Sequence, residues 1–236
     1  MKLSSVECIL CENAFGRYCV PKSSRHRPAS QEVLGGRVWE RETIEFMRRH
    51  VLDRDVIHAG MFFGDFLPGL APALAPGRKV FAFEPNPESF ACAQWTAALN
   101  ALTNVDMRNA GLGEAKRSAL MRTQENGRAI GGASHILPGD RNYESIQRDV
   151  ISVSVVTIDE ILPPVADVGI IQLDIEGYEK YALLGSVNTI RKDRPIIILE
   201  DVPQDVIDEF LIPIGYRRGD SIKATLFLSP NIRPAK

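Results

Sequence analysis

The sequence predicts an α/β fold built on a mostly parallel sheet and preceded by an N-terminal extension. Strand-like and helix-like segments alternate from residue 55 onward, as they do in βαβ units. The segments "VFAF", "VGIIQL" and "PIIIL" are almost continuously apolar, which is typical of strands covered on both faces. Each of them is followed by a carboxylate side chain, and ligands of open α/β sheets bind beyond the carboxyl ends of the strands.

The N-terminal part of the chain is expected to differ from the rest. Residues 1–38 are interpreted as an irregular arm or cap, because "VPKSSRHRPASQ" is rich in Ser, Pro and basic residues. Residues 39–236 are interpreted as a single α/β domain without internal repeats. Its first helix is predicted in "WERETIEFMRRHV", where Ile44, Met47 and Val51 fall on one face at helical spacing.

The first half of the domain contains three predicted strands, "DVIHAG", "KVFAFEP" and "VDMRNAG". "DFLPGLAPALAPG" predicts a short helix with Pro68 in its first turn, where a missing N–H costs little. "NPESFACAQWTAALNAL" predicts a longer helix with a strong start. Asn86 is its N-cap, Pro87 takes the first helical position, and Glu88 lies in the first turn.

The second half begins with a polar, Gly-rich region over residues 111–150. It predicts a small hairpin around "RSALMRT" and a loop around "AIGGASHILPGD". "ISVSVVTIDEIL" predicts a strand that enters a helix through a capping box of Thr157 and Glu160. The buried strands "VGIIQLDIE" and "PIIILED" follow, separated by one helix, "GYEKYALLGSVNTIR". After a helix around "DVIDEFL", the chain predicts an antiparallel hairpin that turns at "GDS".

Composition excludes some classes of protein. The 236 residues carry a net charge of −2, so no basic excess indicates a nucleic-acid partner. No apolar run approaches the roughly 18 residues of a membrane helix. The N-terminus is a poor signal peptide, since Ser, Glu and Asn interrupt its apolar residues. We therefore expect a cytoplasmic protein without membrane or nucleic-acid partners.

Four cysteines raise the question of metal or redox chemistry. Cys8 and Cys11 form a C-x-x-C pair and, with Cys19 and His26, could make a three-Cys, one-His zinc site. The spacing after Cys11 fits no common zinc finger. Reduced thiols in a cytosolic protein are the favoured interpretation.

The loop "HAGMFFGDF" after the first strand is a candidate cofactor loop. A dinucleotide needs G-x-G-x-x-G to admit its pyrophosphate, whereas here Gly60 and Gly64 are separated by three bulky residues. Glu84 ends the next strand, 24 residues after Gly60, where an acid can accept hydrogen bonds from both hydroxyls of a ribose. S-adenosylmethionine has a ribose and no phosphate, so it is the favoured cofactor. The alternative for Glu84 is a solvated acid before a turn.

Five motifs resemble the FkbM family of S-adenosylmethionine-dependent methyltransferases. They are "AGMFFGDF" at 59–66, "AFEPNPESF" at 82–90, "NAGLG" at 109–113, "TIDEIL" at 157–162 and "LDIEGYEKYALLG" at 173–185. The resemblance implies the class I methyltransferase fold, which is Rossmann-like, with a mostly parallel seven-stranded sheet and a C-terminal antiparallel hairpin. It also implies methyl transfer to a hydroxyl oxygen of a small molecule or sugar.

The resemblance implies positions for the cofactor. Gly60 and Gly64 would shape the turn beside its methionine part, Glu84 would bind the ribose, and Asp174 would lie near the methyl group. His58 stands where the family usually has an Asp, so Glu40 or Asp174 could supply the anion that a desolvated ammonium group needs. The expected cofactor residues are Glu40, His58, Gly60, Met61, Phe63, Gly64, Asp65, Glu84, Pro85, Asn86, Asn109, Ala110, Gly111 and Asp174.

Removal of the acceptor's proton needs a base. The candidates for catalysis are Asp174, His135 and Glu176, and those for acceptor binding are His26, Arg27 and His135. A plain surface histidine is an equal alternative for His135, and stabilisation of a helix dipole is one for Glu176.

A cluster of Asp174, Glu200 and Asp201 could hold Mg²⁺, but this is not favoured, because carboxylates near a cleft also suit cofactor and substrate binding. Two other functions compete with methyl transfer. One is a nucleotide-dependent oxidoreductase, and the other is an inactive module that only binds the cofactor.

Overall fold

The structure, a computed structural model, describes residues 6–139, 143–219 and 225–229. The strands, numbered in chain order, are β1 Cys8–Asn13, β2 Gly16–Pro21, β3 Asp55–Ala59, β4 Val80–Phe83, β5 Val105–Arg108, β6 Gly111–Leu112, β7 Arg117–Arg122, β8 Gln124–Glu125, β9 Arg128–Ala129, β10 His135–Ile136, β11 Val150–Val156, β12 Val168–Leu173, β13 Ile196–Leu199, β14 Arg217–Arg218 and β15 Thr225–Leu228.

Most helices are short. The α-helices are α1 Pro28–Leu34, α2 Arg41–His50, α3 Leu67–Leu70, α4 Pro87–Leu99, α5 Ile158–Ile161, α6 Glu179–Leu184, α7 Val187–Asp193 and α8 Gln204–Val206. Single 3₁₀ segments cover Ala71–Ala73, Gly131–Ala133 and Glu144–Asp149, and a π-helical turn covers Ile207–Leu211. Within these ranges, no helix has the length and apolar character needed to cross a bilayer.

The main sheet has the strand order β14-β15-β13-β12-β3-β4-β5. The five strands from β13 to β5 are parallel, which confirms the predicted α/β class. β15 pairs antiparallel with both β13 and β14, and the residues 220–224 between β14 and β15 lie outside the described ranges. The chain builds outward from β3 to β5 and then returns to place β12 on the other side of β3. The strand order therefore reverses between β3 and β12, where α/β sheets form ligand clefts.

Two apolar cores cover the two faces of this sheet, because successive side chains of a strand point to opposite faces. Ile57, Phe81 and Ile171 pack with α5, α6 and α7 on one face. Val56, Val80 and Ile170 pack with α2, α3 and α4 on the other. The continuously apolar strands of the sequence thus have the two-sided burial that they predict.

A second sheet, with the order β10-β7-β11-β6, lies between β5 and β12 in the chain. β7 pairs antiparallel with β11 along its whole length and with β10 at one end. The hairpin predicted around "RSALMRT" is therefore wrong in its partner. The local hairpin in this region is the short pair β8 and β9.

The N-terminal segment is more regular than predicted. β1 and β2 form an antiparallel hairpin, and α1 follows it. Cys19 N–H donates to Thr96 Oγ1 of α4 at 3.1 Å, and Tyr18 packs edge-on against Phe63 with ring centroids 6.3 Å apart. The interpretation of this segment as irregular is wrong, because its buried residues anchor it to the domain.

Cys8 and Cys19 form a disulfide, so the expectation of reduced thiols is wrong for this pair. Two of the four ligands of the alternative zinc site are thereby consumed. Cys11 and Cys92 are free. Disulfides are uncommon in reducing compartments, so the cytoplasmic assignment stays a prediction.

Both predicted helix starts are confirmed. Asn86 Oδ1 accepts a hydrogen bond from the Glu88 N–H, and Thr157 Oγ1 accepts one from the Glu160 N–H. One helix differs from its prediction. "GYEKYALLGSVNTIR" forms α6 and α7 with a break at Gly185, because a Cβ there would lie 2.0 Å from the carbonyl oxygen of Gly113.

Candidate functional site

The carboxyl ends of β3, β4, β12 and β13 border two adjoining cavities. The first cavity encloses about 470 Å³ and is lined by Gly60, Phe62, Phe83, Glu84, Pro85, Gly111, Leu112, Met121, Gly131, Gly132, Ser134, Ile136, Asp174, Ile175 and Tyr178. The second encloses about 680 Å³ and shares Gly60, Phe62, Gly132 and Asp174 with the first. Its remaining residues are Arg27, Pro28, Ala29, Trp39, Glu40, Asp65, Ala133, Glu176 and Glu200.

Gly60 forms the tight turn between β3 and the cavities. Its φ is +84°, and a Cβ at this position would lie 1.8 Å from the carbonyl oxygen of Asp174. The N–H groups of Gly60 and Met61 both donate to the carbonyl oxygen of Phe83, at 3.1 and 3.2 Å. The loop is thus fixed to β4 on one side and lies against the end of β12 on the other. Only glycine fits there.

Phe62 is the residue of this loop that faces both cavities. Its φ of +46° is unusual for a bulky residue, and its N–H donates to Glu84 Oε2 at 3.0 Å. Strained backbone of this kind concentrates at ligand sites. Its ring lies beside the "GG" of "AIGGASH", since a Cβ on Gly131 would approach Phe62 Cζ to 3.0 Å. The sequence reasoning left open which phenylalanine borders the ligand, and the structure places Phe62 there.

Three residues expected to touch the cofactor lie in the core instead. Phe63 and Met61 are fully buried, and neither lines a cavity. His58 stacks on Phe66, with ring centroids 4.9 Å apart, and its Nδ1 is hydrogen-bonded to Gln172 Oε1. Burial lowers the pKa of His58 to about 4, so the imidazole is neutral near pH 7. These side chains support the loop from behind.

Glu84 is the main polar group of the first cavity. It is 6% exposed, and its two carboxylate oxygens accept hydrogen bonds from the N–H groups of Phe62 and Asn86, the latter at 2.8 Å. Burial raises the pKa of Glu84 to about 8, although these hydrogen bonds oppose the shift. Each carboxylate oxygen retains a lone pair for a further donor.

The neighbours of Glu84 hold the floor of the cavity in place. Asn86 caps α4, and its Nδ2 lies 3.4 Å from Ser134 Oγ. Asn109 Nδ2 donates to the carbonyl oxygens of Glu84 and Pro85, at 2.8 and 3.1 Å. Pro85 and Gly111 line the cavity directly, whereas Asn109 and the buried Ala110 do not.

The apolar wall of the first cavity comes largely from residues that the sequence reasoning missed. Met121 lies on β7, Ile136 on β10 and Tyr178 just before α6. The Tyr178 hydroxyl accepts a hydrogen bond from Arg117 of β7, which joins the second sheet to the main one. A signal existed in the alternation of "RSALMRT", but its partner strand is distant in sequence. The wall gives a flat apolar ligand a place beside Glu84.

The second cavity is acidic. It is lined by five carboxylates, Glu40, Asp65, Asp174, Glu176 and Glu200, and by one guanidinium, that of Arg27. Glu40 has a left-handed backbone with φ of +45°, and its Oε2 accepts a hydrogen bond from Thr43 Oγ1 at 3.0 Å. Burial raises the pKa of Asp65 to about 7, and the charge of Glu40 adds to the shift.

Asp174 lies where the two cavities meet. Burial raises its pKa well above the usual range, and a hydrogen bond with the carboxyl group of Glu200 adds to the effect. The pKa of Glu176 is raised by burial and by Glu200, while Arg27 opposes this shift. A raised pKa makes an ionised carboxylate a better base, so Asp174 can accept a proton from a ligand hydroxyl.

Only part of the metal set considered from the sequence is assembled. Asp174 and Glu200 come together with Glu176, and oxygen atoms of the three lie within 4.8 Å of one another. Asp201 does not belong to this group.

The three basic candidates fall in different places. Arg27 lines the second cavity, at the start of α1. His135 does not line either cavity. Its neighbours Ser134 and Ile136 line the first, and alternation along β10 turns the imidazole to the other side, where Nδ1 lies 3.1 Å from the Ala133 carbonyl oxygen. His26 lies outside both cavities, and partial burial and nearby Arg128 lower its pKa.

Comparison with known proteins gives one family match. The sequence profile described as "Methyltransferase FkbM domain" matches residues 58–216. Comparison with curated proteins gives no match.

Solved structures are similar at low identity. A methyltransferase FkbM from Methylobacillus flagellatus KT aligns with a TM-score of 0.50 and 18% identity, over 74% of this chain and 43% of that chain. This chain thus spans less than half of that protein. A Pyrococcus abyssi tRNA (uracil-54, C5)-methyltransferase in complex with S-adenosyl-L-homocysteine has a TM-score of 0.49 and 12% identity, over 94% and 44% of the two chains. A putative rRNA methylase from Clostridium thermocellum has a TM-score of 0.45 and 11% identity, over 79% and 91%.

Proposed function

Because the chain belongs to the FkbM methyltransferase family, we propose that it transfers a methyl group from S-adenosylmethionine to a hydroxyl oxygen of a small molecule or sugar. The observation that carries this proposal is the position of Glu84. Its carboxylate, held by two backbone N–H groups, ends β4 beside an apolar cavity at the reversal of strand order. An acid at this point of an α/β sheet is suited to the two hydroxyls of a ribose.

The lining of the first cavity fits a nucleoside without phosphates. The residues that border it include Glu84 and Asp174 but neither lysine nor arginine. A pyrophosphate would lie beside carboxylates and against the bulky Phe62. This composition disfavours the nucleotide-dependent oxidoreductase, whose cofactor needs anion-binding backbone and small residues. Adenine would lie against Met121, Ile136 and Leu112, with its ribose at Glu84.

The second cavity fits the charged end of the same cofactor. The sulfonium carries a positive charge, and the ammonium group of the methionine part needs an anionic partner once desolvated. Glu40 and Asp65 line this cavity next to Gly60. We assign the ammonium to these two carboxylates, since His58, at the position where an acid was expected, is buried and neutral.

When bound, S-adenosylmethionine supplies an activated methyl group on sulfur. The protein then needs to align an acceptor hydroxyl and remove its proton. Asp174 is the proposed base, because it lies at the junction of the cavities and burial strengthens its basicity. Glu200 holds the Asp174 carboxyl group by a hydrogen bond and positions it. Glu176 and Arg27 are placed to contact the acceptor.

We also propose that the acceptor is not a nucleic acid. The carboxylates of the second cavity would repel a phosphate backbone, and the net charge of the chain is −2.

Transfer of a labelled methyl group to extracted metabolites and glycans tests the proposal. The wild-type chain is expected to label an acceptor, whereas Asp174→Asn should reduce labelling at least about 100-fold while leaving cofactor binding within about threefold of wild type. An exposed substitution, Glu125→Gln, is the control. Binding of NADH in preference to S-adenosylmethionine would contradict the proposal. Cofactor binding without any transfer would identify the inactive binding module instead.

A further inference from the structure

The second cavity holds more negative charge than the cofactor requires. Five carboxylates line it, and Arg27 is the one basic residue among its lining residues. The sulfonium adds a single positive charge. Glu40 and Asp65 are sufficient for the ammonium of the methionine part. Asp174, Glu176 and Glu200 then remain on the side away from this pair in the chain, after β12 and β13.

These three carboxylates are arranged as a receptor for a cation. Their oxygen atoms lie within 4.8 Å of one another, at the border of an open cavity. Asp174 and Glu200 are hydrogen-bonded to each other, which requires them to share a proton. A bound cation can take the place of that proton and leave Asp174 ionised. The arrangement therefore couples binding of a cation to the release of the proposed base.

We propose that the methyl acceptor carries a protonated amine close to its reacting hydroxyl, and that Glu176 and Glu200 bind this amine. The inference rests on the proposed function and specifies the acceptor class of the same site. An ammonium group donates three charge-assisted hydrogen bonds of about 2.8 Å, so it can reach oxygens separated by roughly 4.6 Å. An amino sugar or another amino alcohol has both groups.

The charge of the amine also directs the reaction to oxygen. A protonated amine has no lone pair, so it does not compete with the hydroxyl for the methyl group. The hydroxyl can lose its proton to Asp174 as the C–O bond forms. Acceptors with carboxylate or phosphate groups would meet repulsion from the same carboxylates, which gives the cavity a basis for rejecting them.

Arg27 limits the surplus charge and does not remove it. Its guanidinium acts on Glu176 electrostatically, and it is the only positive charge lining the cavity. A divalent cation is the competing occupant of the three carboxylates. Mg²⁺ demands octahedral oxygen ligands at about 2.1 Å, so its opposite ligands would be closer together than the 4.8 Å spacing permits at its limit. The test separates the two occupants.

The test compares ligands that differ in charge, with the protein saturated with S-adenosylhomocysteine and free of added metal. Glucosamine carries the amine, N-acetylglucosamine lacks its charge, and glucuronate is an anion. Saturation-transfer NMR measures their affinities. Glucosamine is expected to bind at least about tenfold more tightly than N-acetylglucosamine, and glucuronate should not bind. Glu176→Gln and Glu200→Gln should each reduce the preference to less than about threefold, while Glu125→Gln should leave it intact.

Equal affinity for the charged and acetylated sugars, or no detectable binding of glucosamine, would overturn the inference. Stoichiometric Mg²⁺ binding that depends on Glu176 and Glu200 and displaces glucosamine would also overturn it in favour of a metal. The proposed function fails separately, if S-adenosylhomocysteine neither binds nor stabilises the wild-type chain. Thermal unfolding of each variant shows whether a lost preference reflects lost folding.

Discussion

Burial gives the acids of the site unusual pKa values, and these have consequences for stability. Glu84 and Asp65 have ordinary pKa values of 4.5 and 3.8, which burial raises to about 8 and about 7. Stability from such groups is present below the ordinary pKa and is lost as the pH rises through the raised one. His58 acts in the opposite direction, but only below its ordinary pKa of 6.5.

We therefore predict that the ligand-free protein loses stability as the pH is raised from 6.5 to 8. In this window the folded state keeps protons that the unfolded chain has released. Thermal unfolding at the two pH values measures the effect. The double substitution Glu84→Gln and Asp65→Asn should make the dependence shallower, and Glu125→Gln should not. A midpoint that rises with pH in the wild type would contradict these assignments.

At the same scale, the sequence predicted residue types better than side-chain directions. Glu84, Asp174 and Gly60 follow from their place at strand ends, and all three line the first cavity. Phe62 and Phe63 could not be separated, because only the left-handed φ of Phe62 decides which ring faces the ligand. His135 was selected by its chemistry, but alternation along β10 turns it away.

At the scale of elements, the first loop depends on a glycine that two strands enclose. Gly60 and Gly77 have the same φ of +84°, yet a Cβ at Gly60 meets Asp174 O at 1.8 Å and one at Gly77 meets nothing within 4 Å. Gly77→Ala should cost only backbone strain, about 1 kcal/mol. Gly60→Ala should cost clearly more and abolish S-adenosylhomocysteine binding. Chemical unfolding and calorimetry check this pair. Equal effects of the two substitutions would contradict the close approach to Asp174.

The N-terminal hairpin provides a second test at this scale. Cys8 and Cys19 are 11 residues apart, and closure of a loop of this length stabilises a protein by about 3 kcal/mol. Cys8→Ser combined with Cys19→Ser should lower the free energy of unfolding by about that amount. Cys11→Ser, which removes a free thiol, is the control. No change in the unfolding midpoint upon reduction of the wild type would show that the disulfide contributes nothing.

The elements that the sequence predicted well carry local signals. The caps at Asn86 and Thr157 need only neighbouring residues, and both form as predicted. The pairing of β7 with β11, the disulfide and the break at Gly185 depend on contacts far apart in the sequence. Local pattern contains no information on such contacts, so these features could not be predicted.

At the scale of the molecule, the order of strands creates the site. Reversal between β3 and β12 opens a cleft into which β3, β4, β12 and β13 each direct a polar residue. The sequence predicted this edge from alternating strands and helices alone. It did not predict the division into two cavities, because Phe62 and the loop at Gly131 and Gly132 form the partition through tertiary contact.

The central claim is that Glu84 binds the ribose of S-adenosylmethionine in the first cavity. Calorimetric titration with S-adenosylhomocysteine tests it most directly, in the wild type, in Glu84→Gln and in the exposed control Glu125→Gln. We predict that Glu84→Gln weakens binding at least about tenfold, because hydrogen bonds to a charged carboxylate are lost, while the control matches the wild type. Equal affinity in wild type and Glu84→Gln, with both folded, would contradict the claim.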